Sequence, residues 1–373
     1  MSTGQCDVLI FVEDPGAANF LAPLPAALTK LGVSSTLLAM GLSVHHLRAR
    51  SAEFVDLTSS NQEAAQLIAR YAPSVIVAGT AENKQTLAFD LFRQARTARI
   101  PTVGVVDMVV NADCRFRGEG ESAFANAPEY IMVPDDDTRR AFASLGFAPD
   151  RLVVTGYPQF DFVREKLQEA PEQSDVSTSE YPAEIVFVAE PESKLNPALS
   201  TRNANYGFKG RGQSDFRTHI ILEELIAALQ KTQLPARLIV RLHPKNSLEQ
   251  FTDYRTDVAE FSHGGDPLAA FQAADLVVGI TSMALQEAAW LGKRTLAVLP
   301  ESTDKEKLAA ISSGLTPAVF SPGELRDALE KFKCNDWPQP QPEKFFKSGA
   351  AGTMASFIDR LRRMKPKELS PCS

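Results

Sequence analysis

Residues 274–293 read ADLVVGITSMALQEAAWLGK and predict a strand, a tight turn and a helix. Leu276 to Ile280 is a short apolar run, typical of a parallel strand covered on both faces, and apolar residues then recur at helical spacing from Met283 to Leu291. Thr281 and Ser282 fall where the helix begins, so a hydroxyl can cap it while the positive end of the helix attracts an anion. An ordinary capped helix shows the same pattern, and both interpretations stay open at this point.

The same alternation of short apolar runs and helical patterns extends along the rest of the chain. In the first half, strands are predicted at Val8 to Val12, Ser35 to Met40, Val75 to Ala78, Thr102 to Val106, Tyr130 to Val133 and Leu152 to Thr155. In the second half, strands are predicted at Glu184 to Ala189, Ala236 to Leu242, Leu276 to Ile280 and Thr295 to Leu299. One helix is predicted from Asn19 to Leu31. The pattern predicts an α/β protein with two Rossmann-like, doubly wound domains that face a central cleft at the carboxyl ends of their strands.

The length of 373 residues suggests two domains. We predict an N-terminal domain at 1–165 and, because Glu, Ser, Pro and Gln accumulate without apolar periodicity, a linker at 166–183. The second domain is predicted at 184–335. The tail at 336–373 is expected to pack back on the first domain.

Composition limits the possible functions. Hydrophobic residues make up 44% and charged residues 23%, as in globular proteins, and the net charge of −7 argues against a nucleic-acid-binding surface. The four cysteines lack metal-ligand spacing, and the first apolar run is too short for a signal peptide or a membrane span, so we expect a cytoplasmic protein. Neither a cofactor nor a metal is expected. Within the tail, a basic helix predicted at 357–365 would allow weak contact with a membrane surface through Arg360, Arg362, Arg363 and Lys365.

Two loops that follow strands of the first domain carry candidate acid–base residues. Residues 13–19 (EDPGAAN) place Glu13 and Asp14 beside a glycine, and either carboxylate could deprotonate a substrate hydroxyl, although Asp before Pro also fits an ordinary helix start. After the strand ending at Val106, Asp107 and Arg115 are expected to face the cleft; a solvated polar loop is the alternative. Asn19, at the end of the first loop, is a candidate acceptor contact.

Two further loops belong to the second domain. Arg241, His243 and Lys245 lie in the stretch RLHPK, which ends an apolar strand, and such a cluster of cations and imidazole suits the phosphates of a ligand. The long polar stretch from Glu190 to Gly212 interleaves glycines, basic residues and aromatics. We expect it to form a mobile flap that includes Glu190 and Arg211, with a disordered surface loop as the alternative.

Three passages carry a family resemblance. They are residues 128–158, which end in the sequence VTGYP, together with 241–245 and 282–292. The chain resembles glycosyltransferases of the GT-B fold, within the group that includes the non-hydrolysing UDP-N-acetylglucosamine 2-epimerases and the CDP-glycerol glycerophosphotransferases. The second and third passages resemble the HP and Ser motifs of bacterial transferases that use cytidine nucleotides.

The resemblance implies roles for individual residues. Ser282 and the backbone at Met283 and Ala284 would hold the donor phosphates, His243 would contact phosphate, and Glu287 would bind the nucleotide ribose. The chain also departs from the epimerases. Their two glycines after the serine are replaced by Met283 and Ala284, their HRREN stretch by EPESK at 190–194, and their HVEAG loop by VDMVV at 106–110.

These observations favour an inverting, metal-independent glycosyltransferase that uses a nucleotide-sugar donor and a glycan, lipid-linked or small-molecule acceptor. Asp14 or Asp107 would act as the base, while Arg241, His243, Lys245 and the helix that begins after Thr281 would stabilise the departing phosphate. An epimerase-like isomerase or hydrolase of UDP-N-acetylhexosamine is one alternative. A non-catalytic protein that binds nucleotide sugars or polyanions is the other.

Overall fold

The computed structural model describes residues 4–60, 62–169, 182–265 and 267–364. The chain divides into two units, one formed by residues 1–162 and 347–373 and the other by residues 163–346. The second unit is therefore inserted into the sequence of the first. The predicted linker begins inside a helix that runs to Glu169, and its residues 170–181 lie outside the described part of the chain.

The first unit is built on a sheet of parallel strands in the order β3-β2-β1-β4-β5-β6-β7. The strands are β1 (Val8–Val12), β2 (Ser35–Ala39), β3 (Val55–Asp56), β4 (Val75–Gly79), β5 (Thr102–Val105), β6 (Tyr130–Val133) and β7 (Leu152–Val154). Every position of β1 and β4 is buried, as expected for central strands with helices on both faces. The continuous apolar runs of β1 and β4 therefore form central parallel strands, as the sequence predicts.

Helices connect these strands and cover the sheet. They are α1 (Pro15–Leu21), α2 (Leu24–Lys30), α3 (Leu42–Ala49), α4 (Ala64–Tyr71), α5 (Leu87–Ala98) and α6 (Asp136–Ser144). The next helix, α7 (Pro158–Glu169), follows β7 and spans the sequence boundary between the two units. The prediction of one helix over 19–31 is wrong, because the chain breaks between α1 and α2 at Pro23, which has no amide hydrogen for a helical bond. Asp135 caps α6 by accepting a hydrogen bond from the Thr138 amide at 2.7 Å.

The second unit repeats the same topology in a sheet of order β10-β9-β8-β11-β12-β13. The strands are β8 (Ala183–Val188), β9 (Ala236–Arg241), β10 (Glu260–Ser262), β11 (Leu276–Gly279), β12 (Thr295–Val298) and β13 (Ala318–Val319). The helices are α8 (Arg217–Thr232), α9 (Pro267–Ala273), α10 (Met283–Trp290), α11 (Ala309–Ser312) and α12 (Pro322–Lys333). The short strands β10 and β13 at the two edges were not predicted. The prediction of an α/β protein with two Rossmann-like, doubly wound domains is confirmed.

The last helix, α13 (Ala350–Arg363), belongs to the first unit and packs against α2 and β4. Arg362 pairs with Asp7 near the start of the chain at 3.1 Å and also with Asp359, and Arg363 pairs with Asp359 too. Two arginines of the basic tail are thus used inside this unit, and Lys365 lies outside the described residues. Among the described helices, none is both long enough and apolar enough to cross a membrane.

In each sheet the strand order reverses direction between two central neighbours, which are β1 and β4 in the first unit and β8 and β11 in the second. Loops that leave the carboxyl ends of such neighbours diverge to opposite faces of the sheet and leave a crevice, where ligands bind in open α/β sheets. These two positions are therefore where ligand-binding residues are expected.

Candidate functional site

In the first unit, Glu13 holds together the loops that follow β1 and β4. Its Oε1 atom accepts a hydrogen bond from Asn83 Nδ2 at 2.8 Å, and its Oε2 atom accepts one from Thr86 Oγ1 at 2.6 Å. Thr86 is also the N-cap of α5, where its hydroxyl oxygen accepts a bond from the Ala88 amide. Both oxygens of Glu13 thus have protein donors, which fits a residue that shapes the loops.

Asp14 also connects the loops that follow β1 and β4. It precedes α1, and its Oδ2 atom accepts a hydrogen bond from the Glu82 amide at 2.9 Å, so its carboxylate reaches the loop after β4. Asn19, predicted as an acceptor contact, lies within α1 and is only 8% exposed. Its side chain therefore belongs to the buried part of that helix.

Asp107 joins this group from the loop after β5. Arg115 lies 3.3 Å from its Oδ1 atom and anchors the loop by donating from Nε to the Val110 carbonyl and from Nη1 to Thr80 Oγ1. A Cβ atom added to Gly16 would lie only 2.3 Å from Asp107 Oδ2, so this carboxylate rests against the start of α1. The structure thus brings Asp107 and Arg115 to the helix that follows Asp14.

Three residues of this edge were missed by the sequence analysis, namely Thr80, Glu82 and Thr86. All three follow the buried strand β4, whose apolar run was predicted. The position after a central strand was therefore the signal that could have found them.

In the second unit, Ser282 caps α10, as the sequence predicts, by accepting a hydrogen bond from the Ala284 amide at 3.2 Å. The preceding residue, Thr281, donates to the carboxylate of Glu190, which follows β8. The Thr281 amide lies 2.6 Å from Glu190 Oε1 and the Thr281 hydroxyl 3.1 Å from the same atom. Glu190 and Thr281 thus bridge the point where the strand order reverses.

Arg217, the first residue of α8, lies beside this bridge and is 5% exposed. Its Nη2 atom is 3.4 Å from Thr281 Oγ1 and 3.4 Å from Asp304 Oδ2, and its Nε atom is 3.8 Å from Glu190 Oε2. Lys307 pairs with the other oxygen of Asp304 at 2.6 Å. We call Glu190, Arg217, Thr281, Asp304 and Lys307 the Glu190 cluster.

Glu190 and Thr281 were predicted from the sequence, whereas the other three members of the cluster were not. Asp304 and Lys307 follow β12, the neighbour of β11, so their position was a usable signal. No sequence signal identified Arg217, because a basic residue at the start of a helix is expected to be exposed to solvent. Tyr206 also lies near the cluster. Its burial raises its pKa to about 12, with Arg217 opposing the rise and Asp304 adding to it.

The predicted cationic stretch follows β9, which is separated from β11 only by β8. Arg241 donates to Ser262 Oγ and to the Gly265 carbonyl, both at 2.9 Å, and so holds the loop after β10. His243 is partly exposed, and its Nδ1 atom accepts a hydrogen bond from the Lys245 amide at 3.1 Å. Since neighbouring strands are about 4.8 Å apart, the loops after β9 and β11 leave the same edge of the sheet about 10 Å apart.

Two further candidates have structural surroundings that the sequence did not reveal. Glu287 lies inside α10 and is 2% exposed. Arg211 pairs with Asp257 at 2.7 Å, and its amide donates to Glu223 on α8. The nearby Phe208 is buried, so the segment expected to form a flap is packed against α8.

Comparison of the sequence with protein-family models and with curated proteins gives no match. Solved structures do match over nearly the whole chain. The UDP-GlcNAc 2-epimerase of Methanocaldococcus jannaschii in complex with UDP-GlcNAc and UDP has a TM-score of 0.64 at 12% identity, over 95% of this chain and 99% of that one. The UDP-GlcNAc 2-epimerase of Neisseria meningitidis bound to UDP-GlcNAc has a TM-score of 0.63 at 15% identity, with the same two coverages.

A glycosyltransferase from Rickettsia africae ESF-5 is also similar, with a TM-score of 0.55 at 12% identity over 96% of this chain and 93% of that one. At these identities the comparisons establish architecture. The chain therefore has the GT-B-like fold of the UDP-GlcNAc 2-epimerases and of this glycosyltransferase, with two Rossmann-like α/β domains.

Proposed function

We propose that the protein is an inverting glycosyltransferase that moves a sugar from a nucleotide-activated donor to an acceptor hydroxyl and needs no metal ion. One observation carries the proposal. The carboxyl edge of the second sheet gathers the capped start of α10, the hydroxyl of Thr281 and the buried guanidinium of Arg217. Amides at a helix start, hydroxyls and a guanidinium are groups that bind phosphate.

The donor would bind through its phosphates at this edge. Thr281, Ser282 and the backbone at Met283 and Ala284 supply hydrogen-bond donors, while His243 and Lys245 come from the nearby loop after β9. These groups would stabilise the negative charge that develops on the departing nucleotide. Two structures with a similar fold hold UDP-GlcNAc, which supports a nucleotide sugar as the donor class.

We assign the general base to Asp107, with Asp14 as the alternative. Glu13 is a weaker candidate because both its carboxylate oxygens accept hydrogen bonds from Asn83 and Thr86. Asp107 is held in place by Arg115 and by the space that Gly16 leaves. A fixed carboxylate within hydrogen-bond reach of an acceptor hydroxyl can remove its proton as the sugar is transferred.

An epimerase-like isomerase or hydrolase is the second candidate, because several of the similar structures are UDP-GlcNAc 2-epimerases. The loops that resemble those of the epimerases carry other residues here, EPESK at 190–194 and VDMVV at 106–110, which favours transfer. A non-catalytic binding protein is the third candidate. It predicts that Asp14→Asn and Asp107→Asn leave the biological activity intact.

The first experiment identifies the nucleotide. Thermal unfolding is followed with UDP, CMP, CDP, GDP and dTDP, because a ligand that binds the native state raises the melting temperature according to its affinity. We expect one base to give the largest shift. If no nucleotide shifts the transition or binds by calorimetry, the proposed function is wrong.

The second experiment tests the reaction. Sugars carried on the preferred nucleotide are incubated with and without an array of hydroxyl acceptors, and the products are identified by mass spectrometry and NMR. A transferase forms product only with an acceptor, whereas an isomerase converts the nucleotide sugar alone. We expect Asp107→Asn to lower kcat about 10²-fold or more and Glu13→Gln to have a smaller effect. A loss confined to Asp14→Asn would move the base to Asp14.

A further inference from the structure

The Glu190 carboxylate occupies a position suited to a bound anion. Its Oε1 atom accepts hydrogen bonds from both the amide and the hydroxyl of Thr281, directly before the Ser282 cap of α10. This helix end carries partial positive charge and favours negative groups. A side chain of the protein is thus placed where the proposed function requires a phosphate.

The charges of the cluster are balanced without any ligand. Arg217 and Lys307 supply two positive charges, and Glu190 and Asp304 supply two negative ones. A diphosphate added beside Glu190 would leave an excess of negative charge around the two cations. Arg217 is only 5% exposed, so water screens this repulsion weakly.

Arg217 also has hydrogen-bonding capacity left over. Its Nε atom is buried and makes no hydrogen bond to any described residue, and the nearest carboxylate oxygen of Glu190 is 3.8 Å away. A buried guanidinium donor without an acceptor is costly. A phosphate oxygen in place of the Glu190 carboxylate could accept a bond from this atom.

We infer that Glu190 is a built-in anion that the phosphates of the donor must displace, and that Arg217 exchanges Glu190 for phosphate when the donor binds. The inference rests on the proposed function, because it describes how the same site admits its substrate. The Glu190 carboxylate competes with every phosphate ligand and so weakens its binding. Only a ligand with enough affinity to displace this carboxylate occupies the site. Removal of its charge should tighten the site.

The test is titration calorimetry on the full-length protein with inorganic pyrophosphate and with UDP. Pyrophosphate has no base, so its binding does not depend on which nucleotide the protein prefers. We expect Glu190→Gln to bind pyrophosphate about tenfold more tightly than wild type, because a like charge is removed from a poorly screened site. Glu192→Gln makes the same charge change at an exposed neighbour and is expected to stay within about twofold of wild type.

A second variant keeps the test valid if Glu190→Gln unfolds, which thermal unfolding would reveal. Arg217→Lys retains the positive charge but loses the planar guanidinium and its Nε donor, so we expect about tenfold weaker pyrophosphate binding.

The inference is overturned if Arg217→Lys binds pyrophosphate as tightly as wild type. It is also overturned if Glu190→Gln binds pyrophosphate no more tightly than wild type. If wild type and Glu190→Gln bind equally and transfer is observed, only the inference fails. If neither protein binds pyrophosphate or any nucleotide, the proposed function fails with it.

Discussion

At Gly16 the missing side chain leaves room for a carboxylate from another loop. An added Cβ atom would meet Asp107 Oδ2 at 2.3 Å, and the same carboxylate is bound on its other oxygen by Arg115. The position of Asp107 is therefore set by a glycine about 90 residues away in the sequence, together with one arginine in its own loop.

We predict that Gly16→Ala displaces the Asp107 carboxylate and lowers the proposed transferase activity by at least tenfold with little loss of stability. Gly16 does not adopt a positive φ, so alanine fits its backbone, and the clash falls on the end of a side chain that can move. Activity and melting temperature are measured together. Gly323→Ala, where the nearest atom is 3.9 Å away, is the control and should leave activity unchanged.

His219 makes the free energy of unfolding depend on pH. Burial lowers its pKa below the usual value of about 6.5, because the imidazolium ion is poorly solvated among the rings of Phe216, Phe251 and Tyr254. The unfolded chain therefore binds a proton at a pH where the folded protein does not. The neutral His219 therefore contributes stability that is fully present above the pKa of His219 in the unfolded chain. This contribution is lost as the pH falls through the pKa of His219 in the folded protein.

We accordingly expect the second unit to be less stable at pH 5.5 than at pH 7.5, and His219→Gln to reduce that difference. Urea unfolding at the two pH values measures both proteins. An equal loss of stability in wild type and variant would show that other groups cause the acid sensitivity.

At the scale of the element, the start of α10 has a structural role as a capped helix end and, in the proposed function, a second role in binding phosphate. Ser282 caps the helix through the Ala284 amide, and Ser321 caps α12 in the same way through the Glu324 amide. Both helices follow strands of the same sheet, so the two caps form a matched pair. Only the first lies at the proposed phosphate site.

We predict that Ser282→Ala and Ser321→Ala each destabilise the second unit by about 1 kcal/mol, the usual cost of losing a helix cap. Only Ser282→Ala should weaken nucleotide binding, by about tenfold. Chemical denaturation and calorimetry measure the two effects separately. Equal nucleotide affinity in the two variants would argue that the α10 cap has only a structural role.

The polar segment at 190–212, which was expected to form a flap over the ligand, is fixed in place by a buried residue of α8. Glu223 on α8 is 3% exposed, and its carboxylate accepts hydrogen bonds from the Arg211 amide and from the Tyr254 hydroxyl at 2.9 Å. Burial and this contact raise the Tyr254 pKa. A glycine-rich polar sequence is therefore held in place by a carboxylate that a helical pattern alone could not identify as buried.

At the scale of the whole molecule, the first unit is completed by the end of the chain. Helix α13 buries five residues in it, namely Ala350, Met354, Ala355, Ile358 and Leu361. Its ring Phe357 packs edge-on against Tyr130, and Ala350 lies against Gly156. Because α13 follows the second unit in the sequence, the first unit is complete only once residues 350–363 have been synthesised.

We predict that a chain ending at Phe346 loses the unfolding transition of the first unit or shows it at least 10 °C lower, while the second unit unfolds as before. Five buried side chains account for about 5 kcal/mol or more of hydrophobic stabilisation. Differential scanning calorimetry measures both transitions. A chain that ends at Met364 keeps all of α13 and is the control; an unchanged first transition in the chain ending at Phe346 would contradict the prediction.

The sequence by itself determined the α/β alternation and the longer strands of both sheets, because apolar runs and helical periodicity are local properties of the chain. It also located the cap of α10 and the loops that carry Glu13, Asp107, Glu190 and His243. Only the tertiary structure decided which of these side chains meet. Glu190 contacts Thr281 across 91 residues, and Arg217 reaches Asp304, because the pairing of β8 with β11 and of β11 with β12 brings distant loops to one edge. Strand pairing is a long-range interaction that local sequence patterns do not encode.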